Sequence, residues 1–539
     1  MTTLSRRAAV AATAASALLP RFAIAQGDQR PALTVAVQII STSNTLDVLA
    51  ERSNVGERMF ESIYESLYAR NLRGDLSPIP RLATSWRRID ERTVELKIRP
   101  GVKFHDGETM TVEDVAFTFS RERMFGPVGA DGVARGRELG WSAGAIQKEL
   151  PPQVRATTIQ MFPNLEGVDI VDRETVRFVN RTPDVTLEGR IARYGCEIIS
   201  RRAYEAAPSF QAWAVKPVAT GPYMVAEFVA DQSLTLVPHE AYWGGRPPAR
   251  MVKFVTVPEV ASRVNGLLSG QYQFIADMPP DQIPLIEANP RFEVQGGLIG
   301  NHRIMVFDRT HAVLADPRIR RALTHAIDRQ LIVDTLWSGR TVVPKGLQWE
   351  YYGPMFLDDW AVPKFDLAEA KRLLREAGYR GQPIPYRCLN NYYTNQTSTG
   401  QIVAAMWQEA GINVELQMVE NWNQIMLKND SRAIRDWSNS ASFADPVSSL
   451  VAQHGPRGGQ QTSGEWTNAE FNRLSDELET SVDMERRRGV FRRMLEIAER
   501  EDPAFTVLHR NATFTGLPKA LKWKTAPAFA MDFGPGNLG

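Results

Sequence analysis

VELKIRPGVKFHDGETMTVEDVAFTFSR, residues 94–121, sets a strand, a tight turn and a capped helix in immediate succession. Val94, Leu96 and Ile98 alternate with Glu95, Lys97 and Arg99, the period of a half-buried strand. Pro100-Gly101 ends that run and Asp106-Gly107 turns the chain. Thr111 then reads as the N-cap of a helix with Asp114 at N3, its apolar face formed by Val112, Val115, Ala116 and Phe119. Strand and helix signals alternate in the same way along the rest of the chain, which defines an α/β class.

The N-terminus carries an export signal. Arg6 and Arg7 precede a small apolar run over residues 8–19, and Ala23-Ile24-Ala25 precedes Gln26 as a cleavage site. The apolar run is too short to span a bilayer, and no later stretch has the ~20 continuous apolar residues of a transmembrane helix. Ser5-Arg6-Arg7 fits the start of a twin-arginine signal, whereas Ala9 stands where that signal usually carries Phe; both export routes stay open. Neither cysteine lies near the cleavage site, so no lipid anchor is expected and the mature chain is placed in the periplasm. Cys196 and Cys388 read as two isolated buried thiols, with a disulfide as the alternative.

The formal net charge is +1, and removal of residues 1–26 takes away three arginines and no acid. Such a chain has no electrostatic footprint for nucleic acid. At 539 residues it exceeds what one core supports, so at least two lobes are expected. Residues 33–40 read as a buried first strand, and further strands are expected over 175–179, 233–237, 251–257 and 414–418. Asp316-Pro317 opens a helix that runs toward Gly339. Asp366 and Glu369 form a capping box for a helix stopped by Gly378, and a third helix runs from about residue 400 to 410 before Gly411. The glycine-rich segment 454–464 reads as a mobile surface loop.

The wording of these segments carries a resemblance. Residues 94–121, ATGPYMVAEFVADQSLTLVPHEAYWGG (219–245), DPRIRRALTHAIDRQLIV (316–333), FDLAEAKRLLREAGY (365–379) and MWQEAGINVELQ (406–417) resemble, in order, the bacterial extracellular solute-binding proteins of family 5. These are the peptide-, nickel- and opine-type receptors of ABC importers. The resemblance implies a two-lobed periplasmic binding protein, a type II flytrap. Lobe one would comprise residues 27–295, with an extra subdomain over about 60–190. Lobe two would span 296–504, and residues 505–539 would return to lobe one. It further implies a monomer that closes over a small solute, works without a cofactor and docks to a membrane permease; a sensor or chaperone feeding no transporter is a variant of that reading.

Three catalytic patterns are weaker than they look. Gly140-Trp141-Ser142-Ala143-Gly144 matches a nucleophile elbow, but the residues before it are charged and glycine-rich where a buried strand is required. A secreted serine hydrolase using Ser142 is therefore the alternative of a different class. Gly534 to Gly539 satisfies a dinucleotide fingerprint without room for the helix that would follow. His239-Glu240 lacks the second histidine of a zincin, and the seven histidines form no ligand-spaced cluster. His105 reads as shaping its turn.

Three regions suit the walls of an interlobe cleft: the polar loop Ser41, Thr42, Ser43 and Asn44; the segment Asn390, Asn391, Tyr392 and Tyr393; and Trp422 with the stretch from Trp437 through Ser440 to Asp445. The resemblance gives these positions meaning. Peptide-binding members hold the ligand ammonium with an Asp three residues after the tryptophan, a place taken here by Ser440, and Asp445-Pro446 follows late. Dipeptide binders hold the carboxylate with an Arg two residues before the tyrosine, a place taken here by Asn390. An amide does not replace a bidentate Arg–carboxylate pair. The expected ligand is a longer, modified or non-peptide solute, with Asp445 and Arg387 as nearby substitutes.

Overall fold

The computed structural model describes residues 27–125, 148–390 and 392–538. The leader over 1–26, the Ser142 segment and Asn391 lie outside the described residues. Strand Thr93–Ile98 buries Val94, Leu96 and Ile98 and pairs antiparallel with Ala83–Asp90 and Thr175–Asn180. Leu165–Asp172 completes this four-stranded sheet. At the turn Gly107 takes φ +87° and its N–H donates to the Phe104 carbonyl at 2.9 Å. A left-handed backbone of that kind favours glycine. Helix Val112–Thr118 starts at Thr111, and the Asp114 carboxylate accepts from the Thr111 N–H at 2.9 Å. Phe119, just past the helix, lies edge-on to Phe178 of the sheet at 4.8 Å. His105 accepts from the Ala219 N–H at Nδ1 and bonds the Gly221 carbonyl through Nε2, so it pins the turn to the 219–221 loop.

The main sheet has ten strands and runs through both lobes. At the lobe-one end Ala32–Val37 lies parallel between Met251–Thr256 and Phe274–Ile275, with Ser233–Pro238 and Tyr223–Val229 antiparallel outside them. At the lobe-two end Ile384–Leu389 lies parallel between Val414–Val419 and Ile434–Ser440. Two long antiparallel strands, Phe292–Phe307 and Phe505–Pro518, join the two ends. Their ladder is interrupted between Leu298 and His302. Among the described residues three buried cores flank the sheet. Leu33, Val94, Phe178 and Trp213 belong to one, Leu323, Trp407 and Val414 to a second, and Trp349, Phe471 and Phe505 to a third on the other face of lobe two. The second runs across both ends, with Ala36, Leu267 and Ile275 in the same cluster as Leu323.

Several local readings need correction. The helix opened by Asp316 is two helices, Pro317–His325 and Arg329–Trp337, because Asp328 caps the second by accepting from the Leu331 N–H. Asp366 caps Leu367–Glu376, but Glu369 turns its carboxylate to Arg372, so the box is half formed. The third helix begins earlier than expected, at Gln396–Glu409, after Asn395 in a left-handed conformation. The 454–464 segment is no loose loop. Gln460 is fully buried and bonds His454, the Phe307 carbonyl and the Ala504 carbonyl. Cys196 and Cys388 are free and buried. Among the described residues no helix is long and apolar enough to cross a membrane.

Candidate ligand cleft

Parallel strands leave their functional crevice at their carboxyl ends. In lobe two those ends are Leu389, Val419 and Ser440, and in lobe one Val37, Thr256 and Ile275. The segments that follow them approach each other over the long strands. Gly296 lets those strands close up, since a Cβ there would sit 2.0 Å from the Thr513 carbonyl oxygen.

At the break in the ladder a neutral polar cluster forms. Asn511 donates to the Asn301 side-chain oxygen, and Asn301 donates to Ser440 Oγ at 2.7 Å and to Ser438 Oγ at 3.2 Å. Tyr393 donates its hydroxyl to Ser438 Oγ at 3.0 Å. Lobe one reaches the same cluster through Asn54. Its Nδ2 donates to Ser438 Oγ at 3.1 Å and its N–H to the Tyr392 hydroxyl at 2.9 Å. Hydrogen bonds in a water-poor seam are costly to leave unmade, so this cluster favours one register of the lobes.

An aromatic wall stands beside it. Tyr392, Trp422 and Trp437, nominated from separate stretches of sequence, form one edge-to-face chain: Tyr392–Trp422 at 4.9 Å and Trp422–Trp437 at 4.8 Å between centroids. Tyr393 joins Tyr392 at 4.6 Å. Each such pair contributes about 0.5–1.5 kcal/mol beyond its burial. Beneath the wall the charges are paired. Arg303 holds Asp436 and lies 3.7 Å from the Tyr393 ring centroid, while Arg435 holds Glu465 at 2.6 Å and covers Trp437. Burial raises the Asp436 carboxyl above its ordinary range, with Arg303 opposing that rise.

The other nominated residues have different partners. Ser41 and Ser43 donate to Glu51, as does the Thr42 N–H at 3.0 Å. The loop thus encloses a fully buried carboxylate. Asn44 is exposed and donates to Asp231 at 3.2 Å. Asn390 is exposed, its carbonyl accepting from Thr397. Asp445 accepts from Arg487 at 3.0 and 2.8 Å and caps the Val447 N–H. Arg387 donates to the carbonyls of Gln424, Ile425 and Leu427 and to Asn429. Both offered substitutes for peptide anchors are therefore committed within lobe two.

Sequence reading missed Asn54, Asn301, Arg303 and Asn511. The usable signal was polar residues inside otherwise apolar strands: Asn301-His302-Arg303 within Phe292–Phe307, and Arg510-Asn511 within Phe505–Pro518. Buried polar residues of that kind need partners, and partners at a strand crossing mark a site.

A second seam joins the lobes at the rim. Arg190, on helix Leu187–Ala192, pairs with Asp184 and, across the lobes, with Glu479, each at 2.9 Å, and Arg457 also holds Glu479. Gly189 lies against Phe443, where a Cβ would fall 2.8 Å from the ring. Leu76 of lobe one packs into the Trp349–Phe471 core of lobe two.

Two lobes on a common sheet, joined by paired long strands and meeting over an aromatic and amide-lined crevice, define a flytrap-type binding protein. The family model for bacterial extracellular solute-binding proteins, family 5 (Middle), matches residues 77–461, and the chain belongs to that family. It is 24% identical over 485 residues to Heme-binding protein A of Haemophilus influenzae, covering 84% of this chain and 82% of that protein. It is 22% identical to the Dipeptide-binding protein of Escherichia coli, covering 83% of this chain and 84% of that one. The periplasmic binding protein DppA of Helicobacter pylori, solved with the peptide STSA, shares the fold with a TM-score of 0.79 at 19% identity, over 94% of this chain and 97% of that one. None of these comparisons supports a hydrolase.

Proposed function

We propose that this chain is the periplasmic receptor of an ABC importer: exported by its leader, it captures a small solute between its lobes as a monomer and hands it to a membrane permease. The observation that carries this reading is the interlobe crevice, where Tyr392 and Ser438 of lobe two meet Asn54 of lobe one, with Trp422 edge-on to Tyr392. A ligand that touches both walls favours the closed state by its differential contacts. Hinge bending is assigned to the interrupted ladder at Leu298–His302 and its partner residues 510–512. Ligand contact is assigned to Tyr392, Trp422, Trp437 and Ser440, while Ser41, Thr42 and Asn44 shape the loop around Glu51.

The named relatives bind haem, dipeptides and a tetrapeptide, which leaves the cargo of this chain to its own cleft. Small-angle scattering of the purified mature chain, before and after addition of a small-molecule extract, tests the reading. Compaction with a matching rise in melting temperature is expected. No compaction with any fraction, together with no small molecule released on denaturing gently purified protein, would sink it.

A further inference from the structure

Residues 189–194 of lobe one run from the rim seam to the hinge seam. At one end Gly189 abuts Phe443 and Arg190 holds Glu479. At the other the Tyr194 hydroxyl donates to the carbonyl of Glu51, shortly before Asn54 and its bonds to Tyr392 and Ser438. Arg193 stands in the chain between these two contacts with lobe two. The residue is 4% exposed, and its Nε and Nη1 are buried without an acceptor. Among the described residues every other buried arginine is held by a carboxylate or by carbonyl groups. Arg123 has Asp47, Arg432 has Asp308, and Arg263 has the carbonyls of Val257 and Pro258. Arg193 has neither, and it donates to no carbonyl of helix Leu187–Ala192, which it terminates. After burial, the strongest influence on it is a like charge, the guanidinium of Arg52; together they push Arg193 down to about 9, so it stays charged at neutral pH. Arg52 is half-buried, lies 4.8 Å from the Tyr194 ring centroid and donates to the Tyr194 carbonyl at 2.7 Å. Among the described residues it makes no ion pair. The nearby Glu197 carboxyl accepts from the Gly195 N–H at 2.8 Å and bonds neither arginine.

Resting on the receptor reading, we propose that Arg193 and Arg52 form an anion subsite on the lobe-one wall, completed by a carboxylate or phosphate group of the solute. A buried cation without a partner is costly, and a second guanidinium close by adds repulsion. An unsatisfied group of this kind calls for a partner that the chain itself does not supply. An oxyanion answers both costs, because a guanidinium presents its donors as a planar fork and two guanidinia share the oxygens of one such group. Nη2 of Arg193 is not sealed with the other two nitrogens and gives the anion its approach. Lobe two holds no equivalent charge. Arg303 and Arg435 are paired with Asp436 and Glu465, and Arg387 is spent on carbonyls, so the negative group is read from lobe one alone. A neutral solute leaves the Arg193 charge unanswered, and the site selects against it on that ground.

The test is titration of the full mature chain with sodium citrate and with sodium phosphate, each against sodium chloride at equal ionic strength, read by melting temperature and calorimetry. At least one of the two is expected to stabilise the protein saturably where chloride does not. Citrate alone identifies a carboxylate, phosphate alone a phosphate group. In Arg193→Gln the half-saturating concentration is expected to rise about tenfold or more, the effect of one lost charge-assisted hydrogen bond. The anion-free variant should melt no lower than wild type, because an unpaired buried charge has been removed. Arg52→Gln, at a half-buried position, should weaken the same anion in the same direction, and it decides the matter alone where Arg193→Gln does not fold. A response to neither anion beyond that to chloride overturns the proposal, as does an undiminished response in the variants. Either result, with compaction by the small-molecule extract intact, leaves the receptor reading standing. Loss of compaction with every ligand source, as set out above, counts against the receptor reading instead.

Discussion

The lobes of this protein meet along two seams of opposite chemistry. At the hinge the contact is neutral: amides, hydroxyls and rings gathered round Ser438. At the rim it is ionic, with Arg190 shared between Asp184 and Glu479 and a glycine pressed on Phe443. The difference separates two tasks. A neutral floor can exchange its partners for ligand groups at little electrostatic cost, whereas a buried ion pair at the rim is made or broken as a unit. On the function proposed above, recognition is assigned to the hinge seam and the commitment to close to the rim.

The sharpest way to break this division is to show that a charge of lobe two serves recognition after all. Asp445→Ala strands Arg487 in a buried site, and removing one partner of a buried pair costs about 3–5 kcal/mol. We expect that loss in denaturant-measured stability, with ligand affinity per folded molecule unchanged. A selective loss of affinity in a stable Asp445→Ala protein would move Asp445 from the framework to the cleft.

The rim is tested next. Gly189→Leu places a side chain where even a Cβ meets the base of the Phe443 ring. Ligand-driven compaction should disappear and affinity fall about a hundredfold, some 2.7 kcal/mol, with the melting temperature of the unliganded protein preserved. Phe443→Ala in the same chain should restore part of the compaction. A gentler change follows. Glu479→Gln keeps the shape and removes the charge shared by Arg190 and Arg457, and hydrogen bonds to charged groups are worth about 1.5–3 kcal/mol. Affinity should drop roughly thirtyfold, about 2 kcal/mol, and the drop should appear in the dissociation rate. An unchanged dissociation rate would leave the rim without a role in closure.

Much of this architecture could be read from residues alone, and what could not has a physical reason. The strand and helix of residues 94–121 are specified locally, by alternation and by Thr111 with Asp114, and the structure has both where they were expected. The two-helix break at Asp328 was hidden because Asp followed by a charged residue reads equally well as helix surface or as a cap. The aromatic wall was legible as candidates in two regions, Tyr392 in one and Trp422 with Trp437 in the other; that the rings touch one another depends on strand Ile384–Leu389 lying between Val414–Val419 and Ile434–Ser440. The polar loop Ser41–Asn44 illustrates the limit. Its composition fits a ligand contact, yet Glu51, ten residues on, takes its donors. A short polar run does not reveal whether its partner is a solute or a buried carboxylate of the same chain.

The smallest expected effect concerns acid, and it bears on how far the neutral seam extends beneath the cleft. His302 on the hinge strand and His454 in lobe two are buried and held neutral, each pushed down to about 3, mainly by burial. His509, also on a hinge strand, falls to about 4 for the same reason. A histidine with a depressed folded pKa contributes stability that is complete above its unfolded value near 6.5 and is lost as pH falls toward the folded value. Glu197 in lobe one works in the other direction: burial raises it to about 7, so its contribution is complete below about 4.5 and fades as pH rises through 7. The wild-type pH profile therefore mixes opposing slopes, and a difference between two proteins isolates one group. His454→Gln removes a titrating ring that bonds Gln460 and has no part in the proposed cleft. Between pH 6 and 5 its stability should fall less steeply than wild type by about 1.4 kcal/mol per pH unit, while ligand affinity at neutral pH is retained. Parallel slopes in the two proteins would mean that His454 is charged in the folded state, and the core of lobe two would then be wetter than its packing shows.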